Sequence, residues 1–126
     1  MSQSLFVSYV YEDKRFFDDV RAWATRGALG DVTVTGEAAD VRQDGAAAIE
    51  AHLKPKIQGA TAVLVLVGND THNHDWVRRE LAWATSANKR VLAARLPGTT
   101  GALPLGFTHL HLLPFDPSSI RKVLGT

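Results

Sequence analysis

The chain has 126 residues, with 14 Lys and Arg against 13 Asp and Glu and no Cys, so disulfide frameworks, thiolate zinc sites, iron–sulfur clusters and cysteine nucleophiles are excluded. At 45% hydrophobic and 21% charged residues, the composition is that of a compact core-forming domain, expected to span 1–126 as a single unit, and not of a disordered tail or a fibre. The net charge of +1 gives no pull toward nucleic acid or anionic membrane, and residues 1–63 (7 basic, 9 acidic) differ too little from residues 64–126 (7 basic, 4 acidic) to name a partner. The longest apolar run, Ala62 to Val67, is far short of the roughly 20 residues of a membrane span. Met1 to Ser4 carries no basic leader, so a cytoplasmic protein is expected.

Leu5 to Val10 is rich in β-branched and aromatic residues and predicts the first strand, closed by the polar turn Tyr11-Glu12-Asp13-Lys14. From Arg15 the spacing of Phe16, Phe17, Val20, Trp23 and Ala24 marks one helical face, ended by Gly27 and Gly30. Val32 to Thr35 is a short second strand. After the polar loop Gly36 to Gly45, a helix carries Ala48, Ile49, Leu53 and Ile57 and stops near Gly59, and Pro55 should kink or shorten it. Thr61 to Gly68 is continuously apolar, the pattern of a central strand covered on both faces. A polar loop from Asn69 to Asp75, a helix from Trp76 to about Ala87 and a strand from Arg90 to Leu96 follow. Beyond the irregular stretch from Pro97 to Gly106, His109 to Leu113 is expected as the last strand, and Asp116-Pro117 opens a final helix.

Strands alternating with helices imply crossover connections, and hence an α/β fold: a flavodoxin-like, doubly wound, five-stranded parallel sheet with helices on both faces. In the order 2-1-3-4-5, ligands gather beyond the carboxyl ends of the first and third strands. That location selects Ser8 to Asp13 and Gly68 to Asp75.

The helix after the third strand carries an anomaly. At about 100° per residue, with Trp76 at 0°, Trp83 falls near ~340°, Ala87 near ~20°, Glu80 near ~40° and Ala84 near ~80°, which puts Glu80 inside the apolar arc. A carboxylate on a core-facing stripe must be paired, hydrogen-bonded or open to a polar ligand. A structural pair with an Arg or a backbone amide and a functional role at the crevice both satisfy that requirement.

Other constellations are weaker. His72 and His74 are too few for a metal set and read as a polar helix entry, with Asp75 or Asn73 as the N-cap, so no metal is expected. His109 and His111 would share the solvent side of a strand. Glu12-Asp13 and Asn69-Asp70 faintly suggest a phosphoacceptor receiver, but no lysine ends the last strand. No G-x-G-x-x-G follows a strand and no P-loop motif exists.

Three segments carry a family resemblance: Phe6-Val7-Ser8-Tyr9, Gly59 to Val67, and Thr71 to Leu81 followed by Ala82-Trp83-Ala84. Over roughly residues 4–96 the sequence resembles the Toll/interleukin-1 receptor (TIR) domains, and more closely the short stand-alone TIR-like proteins of Thoeris-type bacterial antiphage systems. Its most specific part is W-V-x-x-E-[LI] after the third strand, where many TIR domains that cleave NAD carry their catalytic glutamate. The resemblance maps that role onto Glu80. It also implies a pocket lined by Ser8, Tyr9, Tyr11 and Trp76, with the Gly36 to Gly45 loop contributing.

The implied substrate is NAD, with no further cofactor. Cleavage of its nicotinamide–ribose bond would release nicotinamide and an ADP-ribose or cyclic ADP-ribose-type signal for a separate effector, in a protein that self-associates through TIR–TIR contacts. One carboxylate suits this chemistry, because it can stabilise an oxocarbenium-like ribose and nicotinamide leaves without a general acid. The alternative is a non-catalytic TIR-like interaction module in which Glu80 is structural.

Overall fold

The computed structural model describes residues 3–36 and 46–125, with side chains of the second segment described from residue 50. The strands are β1 (Gln3–Ser8), β2 (Val32–Thr35), β3 (Ala62–Val67), β4 (Arg90–Arg95) and β5 (Leu112–Pro114). The helices are α1 (Lys14–Thr25), α2 (Ala46–Gln58), α3 (Asp75–Ser86) and α4 (Pro117–Leu124). Short 3₁₀ turns at Tyr11–Asp13 and Thr71–Asn73 follow β1 and precede α3. Among the described residues no helix is long and apolar enough to cross a membrane.

The five strands form one parallel sheet in the order β2-β1-β3-β4-β5, the expected doubly wound α/β arrangement. All six residues of β3 are buried, because the strand has a covered face on each side. Ala62, Leu64 and Leu66 pack with Leu5, Val7, Phe17, Val20, Ile120 and Leu124 under α1 and α4. Val63, Val65 and Val67 pack with Phe6, Leu53, Ile57, Val77, Leu81 and Ala84 under α2 and α3. Strand alternation therefore divides the core into two layers that share β3.

The structure moves several predicted boundaries. β1 begins earlier and ends at Ser8, because Gln3 already pairs with Val32 while Tyr9 and Val10 have left the ladder. α2 runs through Pro55 to Gln58. Leu53 and Ile57 anchor it, and Pro55 and Ala51 lie on its exposed side, where the carbonyl freed by the missing N–H can meet water. The side chains of Ala48 and Ile49, also expected on that helix face, lie outside the described residues.

The last strand is displaced toward the C-terminus. Leu112, Leu113 and Pro114 pair with Ala93, Ala94 and Arg95, while turns at Phe107 and Leu110 occupy the segment before it. His109 and His111 thus lie before the strand and do not alternate along it, although both are exposed. The N-cap of α3 is His74, not Asn73 or Asp75; Asp75 is the first helical residue.

The final helix follows its sequence signals closely. Asp116 sits in extended backbone and accepts from the Ser119 N–H at 2.7 Å, Pro117 occupies the first turn, and Gly125 ends the helix at φ +77°. Ile120 and Leu124 on this helix are core residues. Asp116→Ala is expected to destabilise the fold by about 1 kcal/mol, read as a lower denaturant midpoint at unchanged slope.

Candidate active site

β1 and β3 are neighbours whose connections leave in opposite directions along the sheet, so the switch point, where open α/β sheets bind ligands, lies beyond their carboxyl ends. The chain after β3 is held there by short polar contacts. The buried Thr71 hydroxyl accepts from the Gly68 N–H at 2.8 Å and lies 3.2 Å from the Leu66 carbonyl, to which it donates. Two glycines allow close approaches at this edge: a Cβ on Gly68 would collide with the Asp13 carboxylate, and one on Gly101 with the backbone carbonyl of Gly68. Burial, followed by the charge of Glu12, raises the Asp13 pKa.

α3 enters from this edge and lies along the sheet face that also bears Phe6 and Ser8. Val77, Leu81 and Ala84 are buried, Trp76 and Trp83 pack at the margin of the same layer, and Arg78, Arg79, Ala82, Thr85 and Ser86 are exposed. Glu80 points inward as the helical spacing requires, and is only 5% exposed. Its Oε1 accepts a hydrogen bond from the buried Ser8 hydroxyl at 3.1 Å, joining residues 72 positions apart.

No arginine among the described residues pairs with this carboxyl group. Arg78 and Arg79, its nearest cationic neighbours in sequence, both turn outward to Asp75 at 2.9 Å. Desolvation therefore dominates and pushes the Glu80 pKa up to about 8, against the smaller lowering effect of the Ser8 hydrogen bond. Burial thus favours the protonated form of Glu80, and a nearby positive charge would favour its ionisation.

The remaining predicted site residues separate. Tyr9 is buried, with its ring stacked on Phe17 (centroids 4.6 Å, planes 16° apart) in the layer on the opposite side of the sheet from Ser8 and Glu80. Successive residues leaving a strand face opposite ways, so Ser8 and Tyr9 do not present their side chains to the same layer. Tyr11 is exposed in the turn after β1. Trp76 is half-buried at the start of α3, with the His74 ring 6.0 Å away. Residues 37–45 of the loop expected to help line the pocket lie outside the described residues.

The loop before α3 contains an arrangement the sequence reading did not find. Asp70 Oδ2 lies 3.0 Å from His74 Nε2, and its Oδ1 accepts from Asn73 at 2.6 Å. These two hydrogen bonds, with Asn73 the larger influence, hold the Asp70 pKa below its ordinary value. The i,i+4 spacing was visible, but it becomes a contact only because Thr71–Asn73 forms a helical turn. Among the described residues no group of three or more His, Asp or Glu side chains is arranged to hold a metal ion.

This architecture is shared with solved structures. The TIR domain of the Toll-related receptor TRR-2 from Hydra magnipapillata matches with a TM-score of 0.62 at 12% identity, covering 97% of this chain and 91% of that one. A prokaryotic SEFIR domain matches at 0.61 and 19% identity, over 98% and 88% of the two chains. The CMP N-glycosidase BcmB of Clostridium botulinum matches at 0.60 and 12% identity, over 98% and 100%. The fold is therefore that of the TIR-like domains. The sequence itself matches the family described as Thoeris protein ThsB, TIR-like domain, over residues 6–101, and the chain belongs to that family. A comparison with curated proteins finds no match.

A raised pKa links Glu80 to stability with a definite sign. The folded state holds the proton up to about pH 8, whereas the unfolded chain releases it near 4.5, so the favourable contribution present at acid pH is lost as pH rises through that window. Glu80→Gln, which cannot ionise, is expected to melt above the wild type at pH 8, by roughly 5 °C or more, and to lose that advantage near pH 4.5. Thermal unfolding of both proteins across this range checks it; a difference independent of pH would contradict the assignment.

Proposed function

We propose that this TIR-like domain cleaves the N-glycosidic bond between nicotinamide and ribose in NAD, with Glu80 as the catalytic residue. The observation that carries the reading is the buried Glu80 carboxyl group, hydrogen-bonded to Ser8 and, among the described residues, paired with no arginine, beside the switch point of the sheet. A structural carboxylate in such a place calls for a cationic partner, and the described residues offer none. NAD brings one, the pyridinium ring.

As the substrate enters, its positive charge favours the ionised form of Glu80, and Ser8 keeps a hydrogen bond on the resulting carboxylate. The C1′–N bond then breaks with its electron pair passing to the ring nitrogen, and neutral nicotinamide leaves. Positive charge moves onto the ribose, where a preformed carboxylate in a water-poor site stabilises it most. Trp76 supplies an aromatic face for the nicotinamide ring and Tyr11 an exposed one at the rim, while Tyr9 supports the crevice from the other side of the sheet. The Clostridium botulinum structure that shares the fold is a CMP N-glycosidase, which supports N-glycosidic bond cleavage as the reaction class.

In this reading the product, linear or cyclic ADP-ribose in type, serves as a signal to a separate effector in Thoeris-like antiphage immunity, and TIR–TIR self-association orders the site. NAD is the substrate and no additional cofactor takes part. A cytoplasmic location, where NAD is available, belongs to the same proposal.

Incubation of concentrated protein with NAD, with nicotinamide followed by chromatography and the second product by mass, tests the reading. Wild-type protein is expected to release nicotinamide and Glu80→Gln to lose at least about 100-fold in kcat. The wild-type kcat/KM should rise with pH and level off above about 8, and Ser8→Ala should move that limb to higher pH by removing the hydrogen bond that favours the ionised form. Release that persists in Glu80→Gln, or none from wild type even under enforced oligomerisation, overturns it.

A further inference from the structure

We propose that the amino end of the sheet carries a second binding site, for the diphosphate group of a nucleotide-sized ligand, and that Lys89 and Arg90 hold it. All five strands run parallel, so their amino ends form the edge opposite the switch point that Glu80 adjoins. At that edge lies a cavity of about 710 Å³, lined by the first residues of three neighbouring strands: Gln3 of β1, Ala62 of β3 and Arg90 of β4. Thr61, Asn88, Lys89 and Leu124 complete the lining. The site shares no residue with the Glu80 site and stands whether or not NAD is cleaved.

The lining is one-sided in charge, with two cations and no carboxylate. Among the described residues neither Lys89 nor Arg90 forms an ion pair with Asp or Glu. The excess extends around the cavity. Residues 26–31, 56–61, 87–90 and 121–125, where the four helices end, carry Arg26, Lys56, Lys89, Arg90, Arg121 and Lys122 against Asp31. Basic residues are ordinary at helix C-termini, because each terminus carries about half a unit of negative charge, so four of them offset about two units. Six basic side chains against one acidic exceed that by about three units, which the helix ends do not account for.

Two of the lining side chains are already fixed. Arg90 Nη1 donates to the Val123 carbonyl at 2.8 Å and Gln3 Nε2 to the Leu124 carbonyl at 2.9 Å, so the end of α4 orients both. A guanidinium carries further N–H groups and a primary amide one more, which remain for a ligand. The Thr61 hydroxyl oxygen accepts from the Ser4 N–H at 3.1 Å and keeps its own hydrogen for another acceptor. Asn88 ends α3 in the left-handed conformation at φ +59°, and the Lys89 N–H turns back to the Ala84 carbonyl at 2.9 Å. That turn sets the backbone from which Lys89 and Arg90 project side by side.

Adjacent cations among neutral donors, with no carboxylate between them, suit a ligand that only accepts hydrogen bonds and carries more than one negative charge. Phosphate is the group that arginine binds through two parallel N–H bonds and lysine binds as a point charge, so the pair matches two linked phosphoryl groups. The volume sets the size. It falls within the ~300–1,000 Å³ of small-molecule sites, and a lone phosphate would leave most of it to water. No aromatic ring is in the lining, so recognition rests on the diphosphate and not on a base.

Titration of isotope-labelled protein with inorganic pyrophosphate, ADP and adenosine, followed through backbone amide NMR shifts, tests the site. Pyrophosphate and ADP are expected to give saturable shifts at Gln3, Thr61, Asn88, Lys89 and Arg90, with ADP bound at least as tightly, and adenosine none there. Lys89→Gln and Arg90→Gln should each weaken the binding by at least about tenfold. The proposal is overturned if millimolar pyrophosphate gives no saturable shift at these residues, or if Lys89→Gln binds it as wild type does. Sulfate producing the same shifts at equal ionic strength overturns it too, since the surface would then hold any anion. Pyrophosphate binding from which ADP is excluded rules out the nucleotide-sized ligand, and displacement of pyrophosphate by a short single-stranded DNA at lower phosphate concentration replaces it with nucleic acid. Should Arg90→Gln fail to fold through loss of its bond to the end of α4, Lys89→Gln decides alone, because the Lys89 side chain has no hydrogen bond or ion pair among the described residues to lose.

Discussion

The organisation of this molecule turns on one carboxyl group, Glu80, taken out of water and hydrogen-bonded, among the described residues, by a single hydroxyl. The arginines that precede it on α3 do not neutralise it, because residues one and two positions apart on a helix point to different sides. Both guanidinium groups lie on the solvent side of the helix start, paired with Asp75. The charged form of Glu80 is consequently the costly one, and the Ser8 hydrogen bond offsets only part of that cost.

Holding such a group in place requires a rigid frame, and β3 provides it. A strand buried on both faces fixes the spacing of the two core layers, and its ladders to β1 and β4 fix where Ser8 and α3 stand relative to each other. Past its end the backbone is pinned by Thr71, Thr99 and the close packing at Gly68 and Gly101. The mouth of the crevice is therefore built from short-range backbone contacts, while its floor is built from apolar packing. Asp13 and Asp70 both lie at that mouth, so the polar groups of the site are collected at the end where water has access.

Much of this was legible in the sequence because it follows from periodicity. The unbroken apolar run of β3, the alternation of strands and helices, and the inward angle of Glu80 between Trp76 and Trp83 are each set by spacing, and the structure reproduces all three. Tyr9 lies in the opposite layer from Ser8 for a reason the sequence also contained: it follows Ser8 directly, and neighbouring residues along extended chain face apart. The last strand was read too early because His109 to Leu113 alternates well, but alternation has no value without a partner, and β4 offers its register only from Leu112 onward. The Asp70–His74 contact depends on a 3₁₀ turn three residues long, which is too short to leave a periodic signature.

A carboxyl group kept neutral at rest also bears on selectivity in the proposed reaction. Burial disfavours its ionisation in the empty crevice, so the site pays little to exist and gains its charge only when an opposing one arrives. A neutral nucleoside would bring no such charge and would leave Glu80 protonated, unable to stabilise a developing ribose cation. A pyridinium ribonucleotide brings the charge to the bond that must break, and loses it from the leaving group as the ribose acquires it. The carboxylate then remains opposite a positive centre throughout, first on the ring and afterwards on the sugar. On this argument the lack of a counter-ion for Glu80 among the described residues is what couples its ionisation to the presence of a cationic substrate.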